Sequence, residues 1–217
     1  MIRDVGYDND GVVSNSVEPV IRHANILLAG ELFQKGKTPF AYTSSDIKCW
    51  DYLFKDILER TEDEILAKRA NSLWFNAEVL GQAKPMPNSA LAIRVLGLLR
   101  INQQIITSRK PLLRPSTMKW FSGNIPYFAR NDRVIMKEAG DERGSGRFKL
   151  ETLWDRGISF FVDDDPLVHD LMNTSAVPKI RHYMFTQPWN KDRRDLDSIR
   201  VHSWLQIMSL ILFSKQS

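Results

Sequence analysis

Residues 5–13 read VGYDNDGVV, and this stretch places two aspartates, Asp8 and Asp10, directly after a short apolar run. Such a run is typical of a buried strand, which we predict over residues 2–8. If the chain turns out of the sheet after Asp8, both carboxylates can converge on one point. Two carboxylates this close repel each other unless a cation lies between them or one stays protonated. Because Asp, Asn and Gly are also the commonest turn residues, a solvent-exposed turn is the alternative.

Composition and charge are those of a globular protein. Hydrophobic residues make up 43% of the 217 residues and charged residues 26%, so disorder is not expected. The net charge of +4 suits an anionic substrate but is too small to indicate a nucleic-acid partner. The single cysteine, Cys49, cannot form an internal disulfide, which is typical of a reducing compartment. Without a signal peptide or a membrane-spanning stretch, we expect a cytoplasmic protein with no membrane partner.

Four further segments have the apolar and β-branched composition of strands. They are QQIITS at 103–108, RVIMK at 133–137, GISFFVDDD at 157–165 and HYMFT at 182–186. Between the first two strands that we predict along the chain, about ninety residues carry apolar positions at helical spacing, too many for a simple crossover helix.

We therefore predict an α/β fold with a doubly wound parallel sheet, helices on both faces and an inserted helical cap. The core is predicted to comprise residues 1–14 and 88–217. The cap is predicted to comprise residues 15–87.

Acids and hydroxyls follow three of the predicted strands directly. They are Asp8 and Asp10, then Thr107 and Ser108, and finally Asp163, Asp164 and Asp165. Functional groups collect at the carboxyl ends of parallel strands, so we expect these side chains to share one site. A set of oxygen ligands without a His or Cys cluster favours a hard cation such as Mg²⁺.

This set of groups is suited to phosphoryl transfer. A carboxylate beside Mg²⁺ can attack phosphorus, and a second aspartate can protonate the leaving oxygen and then take a proton from water. A hydroxyl after the strand at 103–108 and a lysine near the strand at 157–165 would neutralise the transferred group. Lys149 precedes Asp163 by 14 positions (163 − 149), enough for one helix running into the strand that ends there, and Lys137 is the alternative lysine.

Several segments resemble the motifs of the haloacid dehalogenase (HAD) superfamily of phosphohydrolases, in the same order. The segments are DNDGVV at 8–13, IITSRKP at 105–111, Lys149, and FFVDDDP at 160–166. More narrowly, the chain is similar to the 5′(3′)-deoxyribonucleotidases. That similarity rests on PMPNSALAIRVLGLL at 85–99, MFTQPWN at 184–190 and IRVHSW at 199–204.

The resemblance implies a catalytic and metal-binding role for four aspartates. Asp8 would be the nucleophile, and Asp10 would be the general acid and base. Asp8, the backbone carbonyl of Asp10, and Asp164 would bind Mg²⁺, with Asp163 supporting them. The implied activity is hydrolysis of a small phosphomonoester through an aspartyl-phosphate.

The resemblance also implies four phosphate-binding residues and a substrate class. Thr107 and Lys149 would hold the phosphoryl oxygens, and Ser108 and Arg109 would contact the substrate phosphate. A (deoxy)nucleoside monophosphate is the favoured substrate, which would make the protein a 5′-nucleotidase. The cap aromatics could stack on a base or simply pack helices together. They are Trp50, Tyr52, Trp74 and Phe75.

Other functions compete with this interpretation. An EF-hand fails, because with Gly11 at its sixth position the first and twelfth positions would be Gly6 and Val17. A receiver domain has no room for the long insert. A phosphatase for a sugar phosphate or a nucleic-acid 3′-phosphate remains open, as does a non-catalytic interaction protein that keeps the fold. A homodimer is left open as well.

Overall fold

The computed structural model describes residues 2–49, 51–175 and 180–213. Trp50, one of the aromatics considered for base stacking, lies outside these residues. In the described ranges, no helix combines the length and the apolar character needed to cross a bilayer.

The described residues form eight strands. In chain order they are β1 (Asp4–Tyr7), β2 (Ser14–Asn15), β3 (Lys84–Pro85), β4 (Asn102–Thr107), β5 (Val134–Met136), β6 (Phe160–Asp163), β7 (Arg181–Phe185) and β8 (Arg200–Val201). All five strands expected from the sequence are therefore present. β2, β3 and β8 were not predicted, because two residues are too few to carry a periodic signal.

Nine α-helices occur in the same ranges. They are α1 (Val17–Gln34), α2 (Tyr52–Thr61), α3 (Glu64–Ser72), α4 (Ala77–Gly81), α5 (Ser89–Leu98), α6 (Arg114–Asn124), α7 (Ser145–Asp155), α8 (Pro166–Thr174) and α9 (Trp204–Phe213). The first five lie between β1 and β4, and the first four of them lie within residues 15–87, so the long insert between these strands is helical, as expected.

Six strands form one sheet in the order β5-β4-β1-β6-β7-β8, and every neighbouring pair is parallel. β1 lies between β4 and β6, with Val5 opposite Gln103 on one side and Phe160 on the other. β2 and β3 form a separate antiparallel pair at the two ends of the helical insert. The predicted parallel α/β sheet is confirmed, and its central strand ends at the two aspartates of the opening stretch.

Successive side chains of the central strands enter two apolar clusters, which shows that helices cover both faces of the sheet. Ile105 and Phe160 belong to a large cluster that includes residues of α1, α2, α5, α6 and α9. Their neighbours Ile106 and Phe161 belong to a smaller cluster with residues of α7 and α8. β6 is buried at all four residues and reads FFV before Asp163, as expected for a strand covered on both faces of a parallel sheet. β4 is apolar only at Ile105 and Ile106.

Candidate active site

The loop after β1 buries the two aspartates. Its tight turn is formed by the backbone carbonyl of Asn9, which accepts hydrogen bonds from the N–H groups of Val13 at 3.0 Å and Ser14 at 2.8 Å. Only 5% of Asp8 is exposed, and only 16% of the Asp10 side chain. The alternative of a solvent-exposed turn is therefore wrong, because both carboxylates are withdrawn from bulk water.

Three acids from the ends of two neighbouring strands meet at this point. Asp8 follows β1, Asp163 ends β6 and Asp164 follows it. One carboxylate oxygen from each lies within 4.8 Å of the others, and all three residues are buried. The expected convergence of Asp8 with the acidic segment at 163–165 is thus present in the fold.

The hydrogen bonds of Asp163 and Asp164 separate their roles. Asp163 Oδ1 accepts the backbone N–H groups of Asp164 at 2.8 Å and Asp165 at 3.0 Å, and its Oδ2 accepts Lys149 Nζ at 2.7 Å. By contrast, both carboxylate oxygens of Asp164 and the Oδ1 of Asp8 are buried without a hydrogen-bond partner among the described residues. Asp163 therefore fixes the backbone of the next two residues and the position of Lys149. Asp8 and Asp164 have carboxylate oxygens without a hydrogen-bond partner in the described part of the chain, which we call uncommitted oxygens.

The uncommitted oxygens fit a divalent cation. Burial, reinforced by the charges of Asp163 and Asp8, raises the pKa of Asp164 well above its usual value. Leaving such a carboxylate buried without a counter-charge is costly. Oxygen-only ligand sets of this kind suit Mg²⁺, which would remove both the repulsion and the unpaired acceptors.

Lys149 joins the acid cluster from α7. Its Nζ lies 2.7 Å from Asp163 Oδ2 and 3.2 Å from Asp8 Oδ2, and the side chain is buried. Burial works to lower the pKa of Lys149, but the charges of Asp163 and Asp8 outweigh it and raise that pKa. The alternative lysine, Lys137, donates to the backbone carbonyl of Arg143. The fold thus brings Lys149, rather than Lys137, to the acids.

The environments of Asp8 and Asp10 push their pKa values apart. Burial raises the pKa of Asp8 to about 8, against the opposing charge of Lys149 and with help from that of Asp163. Burial acts on Asp10 in the same direction, but the charge and hydrogen bonds of Arg109 overcome it and lower the pKa of Asp10 below its usual value. Pairs of acids whose environments differ in this way are typical of acid and base chemistry.

Arg109 forms a bidentate ion pair with Asp10 through two nitrogens of its guanidinium. Nε donates to Asp10 Oδ2 at 2.8 Å, Nη2 donates to Asp10 Oδ1, and Nη1 donates to Thr117 Oγ1 at 2.9 Å. Sequence reasoning placed Arg109 on the substrate phosphate, and the bidentate pair with Asp10 was not foreseen. A guanidinium is well matched to either anion, because its planar fork fits carboxylate and phosphate alike.

The hydroxyl groups of Thr107 and Ser108, at the end of β4, also lie at the site. Thr107 is buried, and Ser108 Oγ lies 2.9 Å from the Oγ of Ser145, the first residue of α7. Ser145 was missed from the sequence, because nothing local in GSGRF signals its approach to β4. All three residues line a cavity of about 300 Å³.

Residues of the helical insert also line this cavity. They are Asn71 on α3, Trp74 and Phe75 in the following 3₁₀ turn, and Leu80 on α4. Lys110 Nζ lies over the Phe75 ring, 4.3 Å from its centroid. Tyr52 does not line the cavity, and its ring instead packs against that of Tyr42, with 6.1 Å between the ring centroids. Of the described aromatics considered for base stacking, Trp74 and Phe75 are at the cavity.

Side chains of the carboxyl-terminal segment donate hydrogen bonds to backbone carbonyls at Asp164 and in the loop after β1. Trp189 Nε1 and Asn190 Nδ2 donate to the backbone carbonyl of Asp164 at 3.1 and 2.9 Å. Trp204 Nε1 donates to the carbonyl of Val12 at 2.7 Å. These bonds fix the Asp164 backbone and the loop after β1, so the site is pre-organised by a segment far away in the chain.

No family model matches the sequence, and no curated protein matches it. Solved structures do match, over nearly the whole chain. A HAD-superfamily hydrolase of subfamily IA, variant 1, from Geobacter sulfurreducens PCA has a TM-score of 0.61 at 16% identity, covering 97% of this chain and 96% of that one. A haloacid dehalogenase-like hydrolase from Streptococcus pneumoniae has a TM-score of 0.63 at 11% identity, covering 96% and 97%.

A third structure, from Haemophilus somnus 129PT, bears the name "predicted phosphoglycolate phosphatase". It has a TM-score of 0.64 at 12% identity and covers 96% of this chain and 97% of its own. None of the three bears a nucleotidase name, so the narrower resemblance to the deoxyribonucleotidases stays a prediction. The parallel sheet and the coverage of both chains agree, and this protein therefore has the Rossmann-like α/β fold of the HAD-superfamily hydrolases.

Proposed function

We propose that this protein is a Mg²⁺-dependent phosphomonoesterase that acts through an aspartyl-phosphate on Asp8. One observation carries the proposal: buried Asp8, Asp163 and Asp164 meet beside the buried Lys149, oxygens of Asp8 and Asp164 lack hydrogen-bond partners among the described residues, and Asp8 and Lys149 line a cavity. The structural neighbours support it, since those named above are HAD hydrolases and one bears a phosphatase name.

The uncommitted oxygens of Asp8 and Asp164 would hold the cation, together with the backbone carbonyl of Asp10. Asp163 would support them by keeping Lys149 and the adjoining N–H groups in place. Bound Mg²⁺ would neutralise charge on the phosphoryl group and on the surrounding acids.

The proposed reaction uses two steps on the chain's own carboxylates. An oxygen of Asp8 attacks phosphorus, the bond from phosphorus to the leaving oxygen breaks, and Asp10 gives that oxygen its proton. Water then attacks the phosphorus, Asp10 takes a proton from it, and the bond to Asp8 breaks to release inorganic phosphate. Lys149 and Thr107 would stabilise the phosphoryl oxygens throughout.

Arg109 and Ser108 would contact the phosphate group when the substrate binds. While Arg109 holds both oxygens of Asp10, that carboxyl is kept ionised and cannot donate a proton. An incoming phosphate offers the guanidinium a second anion of matching geometry, which would free Asp10 to act as the acid. Ser108, at the same strand end, would contact the phosphate beside it.

Residues 15–87 would act as the cap that excludes bulk water and selects the leaving group. A nucleoside monophosphate is the favoured substrate, because Trp74 and Phe75 place aromatic surface on the cavity wall. The cytoplasmic location stays a prediction, and a homodimer stays open.

Chelation of the metal is expected to abolish phosphate release, and added Mg²⁺ is expected to restore it. The measurement is inorganic phosphate released from a panel of nucleotides, sugar phosphates and 3′-phosphorylated oligonucleotides, with Mg²⁺ or with EDTA. Activity that is unchanged in EDTA would contradict the mechanism. A sugar phosphate as the best substrate would overturn only the nucleotidase assignment, whereas a captured protein partner without hydrolysis of any ester would favour the interaction protein.

Gly11→Ala is expected to weaken Mg²⁺-dependent activity by about 10-fold or more, because it displaces a carboxylate of the metal site. A Cβ at position 11 would lie 2.2 Å from Asp164 Oδ2, and the φ of Gly11 is +76°. Gly157→Ala is the matched control, since Gly157 has a φ of +63° with open space around its Cβ position.

Both substitutions are expected to lower the free energy of unfolding by about 1–2 kcal/mol through backbone strain. Only Gly11→Ala should raise the Mg²⁺ concentration needed for half-maximal activity. Equal Mg²⁺ requirements in the two variants would mean that Asp164 does not bind the cation.

A further inference from the structure

The buried side chain of Asn190 uses its whole amide in hydrogen bonds. Nδ2 donates to the backbone carbonyls of Asp164 at 2.9 Å and Phe185 at 2.8 Å. Oδ1 accepts the backbone N–H of Gln187 at 3.0 Å and Nη1 of Arg200 at 2.9 Å. Because an asparagine amide has two N–H donors and two lone pairs on its oxygen, all four positions are filled. The orientation of this amide is therefore fixed.

Arg200 sets that orientation. A guanidinium has donors only, so Nη1 can pair with Oδ1 of Asn190 but not with Nδ2, and this turns Nδ2 towards the carbonyl of Asp164. Nη2 of Arg200 donates to the backbone carbonyls of Asn190 at 3.0 Å and Arg193 at 2.8 Å. Arg200 is the first residue of β8, where it lies opposite Met184 of β7. The edge of the sheet thus holds both the side chain and the backbone of Asn190.

The same amide also supports the loop after β1. Gln187 donates its backbone N–H to Asn190, and its side-chain Nε2 donates to the backbone carbonyl of Gly11. A Cβ at position 11 would lie 2.2 Å from Asp164 Oδ2 and 3.2 Å from Cζ2 of Trp189, so the loops after β1 and β6 are in close contact here. A displacement of Asn190 would therefore reach both loops that carry the acids.

We propose that Arg200 is a positioning residue for the cation, because it acts through Asn190 to fix the backbone of Asp164 and so the place of its uncommitted oxygens. Arg200 itself does not line the cavity. Groups that orient metal ligands from behind typically change metal affinity by about 10- to 100-fold when they are removed. This inference rests on the proposed Mg²⁺-dependent function and adds a residue that controls the metal affinity of that same site.

Charge and position make opposite predictions for the loss of Arg200. A positive charge near a cation site repels the cation, so its removal would by itself tighten Mg²⁺ binding. Loss of a positioning contact weakens Mg²⁺ binding instead. Arg200→Met removes the charge and the hydrogen bonds together, and we expect it to raise the Mg²⁺ dissociation constant by about 10-fold. The sign of the change therefore separates the two effects.

The test measures the Mg²⁺ dissociation constant of the metal-free protein by isothermal titration calorimetry, together with unfolding by urea. Arg133→Met is the matched control. Arg133 is half-buried like Arg200 and donates to the backbone carbonyl of Tyr127 at 2.9 Å, but it precedes β5, at the end of the sheet opposite the acids. Both variants should unfold at lower urea concentrations, and only Arg200→Met should bind Mg²⁺ more weakly. Arg200→Lys keeps the charge and one donor group, so its dissociation constant should lie between those of the wild type and Arg200→Met.

A second pair of variants tests whether Arg200 acts through Asn190. Asn190→Ala removes the amide that contacts Asp164, so adding Arg200→Met to it should weaken Mg²⁺ binding by less than about 2-fold further. A second loss as large as that of Arg200→Met alone would mean that Arg200 acts by another route, and it would overturn the inference. The comparison of Arg200→Met with Arg133→Met does not depend on Asn190→Ala, so the inference stays testable if that variant does not fold.

Mg²⁺ binding by Arg200→Met that is as tight as in the wild type, or tighter, would overturn the inference alone. An equal rise of the dissociation constant in Arg133→Met would also overturn it, because the effect would then follow from reduced stability. Release of phosphate from p-nitrophenyl phosphate by the wild-type protein, measured in parallel, reports on the proposed function separately. A wild-type protein that neither binds Mg²⁺ nor releases phosphate from any ester would overturn that function and this inference with it.

Discussion

Asp8→Asn is expected to lower kcat by at least ~10⁴-fold, because an amide cannot form the acyl-phosphate bond on which the proposed reaction depends. The substitution preserves the shape of a buried side chain, so the protein should fold normally. The measurement is phosphate release from the best substrate of the panel, together with a thermal unfolding curve for each protein.

Asp4→Asn is the matched control for this variant. Asp4 is the first residue of β1, and its carboxylate accepts a hydrogen bond from Asn102 at 2.8 Å, away from the acid cluster. Its activity should be that of the wild-type protein. Wild-type turnover by Asp8→Asn would mean that the nucleophile is another residue.

The wild-type protein and Asp8→Asn should differ in the pH dependence of their stability when EDTA is present. Burial raises the pKa of Asp8 to about 8 from an ordinary value of 3.8, so the folded state holds this proton more tightly than the unfolded state does. The resulting contribution to stability is fully present below about pH 4 and is lost as the pH rises to about 8. Asn carries no proton to lose, and Asp8→Asn should therefore gain stability over the wild type between these limits.

Lys149→Met is expected to have the largest combined effect on activity and stability. The substitution leaves Asp8 and Asp163 buried without the ammonium that lies 3.2 and 2.7 Å from them. Breaking a buried ion pair by removing one partner costs about 3–5 kcal/mol. Loss of a positive charge at the phosphoryl group should also lower kcat by about 10²–10³-fold, as for other preorganised electrostatic contacts.

Lys137→Met tests whether the effect is specific to one lysine. Its Nζ contacts the carbonyl of Arg143, so this variant should keep the activity and most of the stability of the wild type. Unfolding by urea at pH 7 and phosphate release with saturating Mg²⁺ provide the two measurements. If Lys137→Met lost activity and Lys149→Met kept it, the assignment of the lysine would be reversed.

The sequence by itself determined the layout of the fold, because the relevant signals are local. Apolar runs predicted the strands that became β1, β4 and β6, and helical spacing predicted the insert between the first two. Acids and hydroxyls directly after these runs had to lie near one another once the strands were parallel neighbours. The convergence of Asp8 with Asp163 and Asp164 follows from that reasoning alone.

Tertiary structure decided how each of these groups is used. The sequence does not show that Arg109 holds both oxygens of Asp10, or that Asp163 is fully hydrogen-bonded while Asp164 is not. Nor does any local pattern mark Arg200, an arginine in a two-residue strand, as the donor that fixes the amide of Asn190. These properties arise from packing between elements far apart in the chain, where a change of about one ångström makes or removes a hydrogen bond.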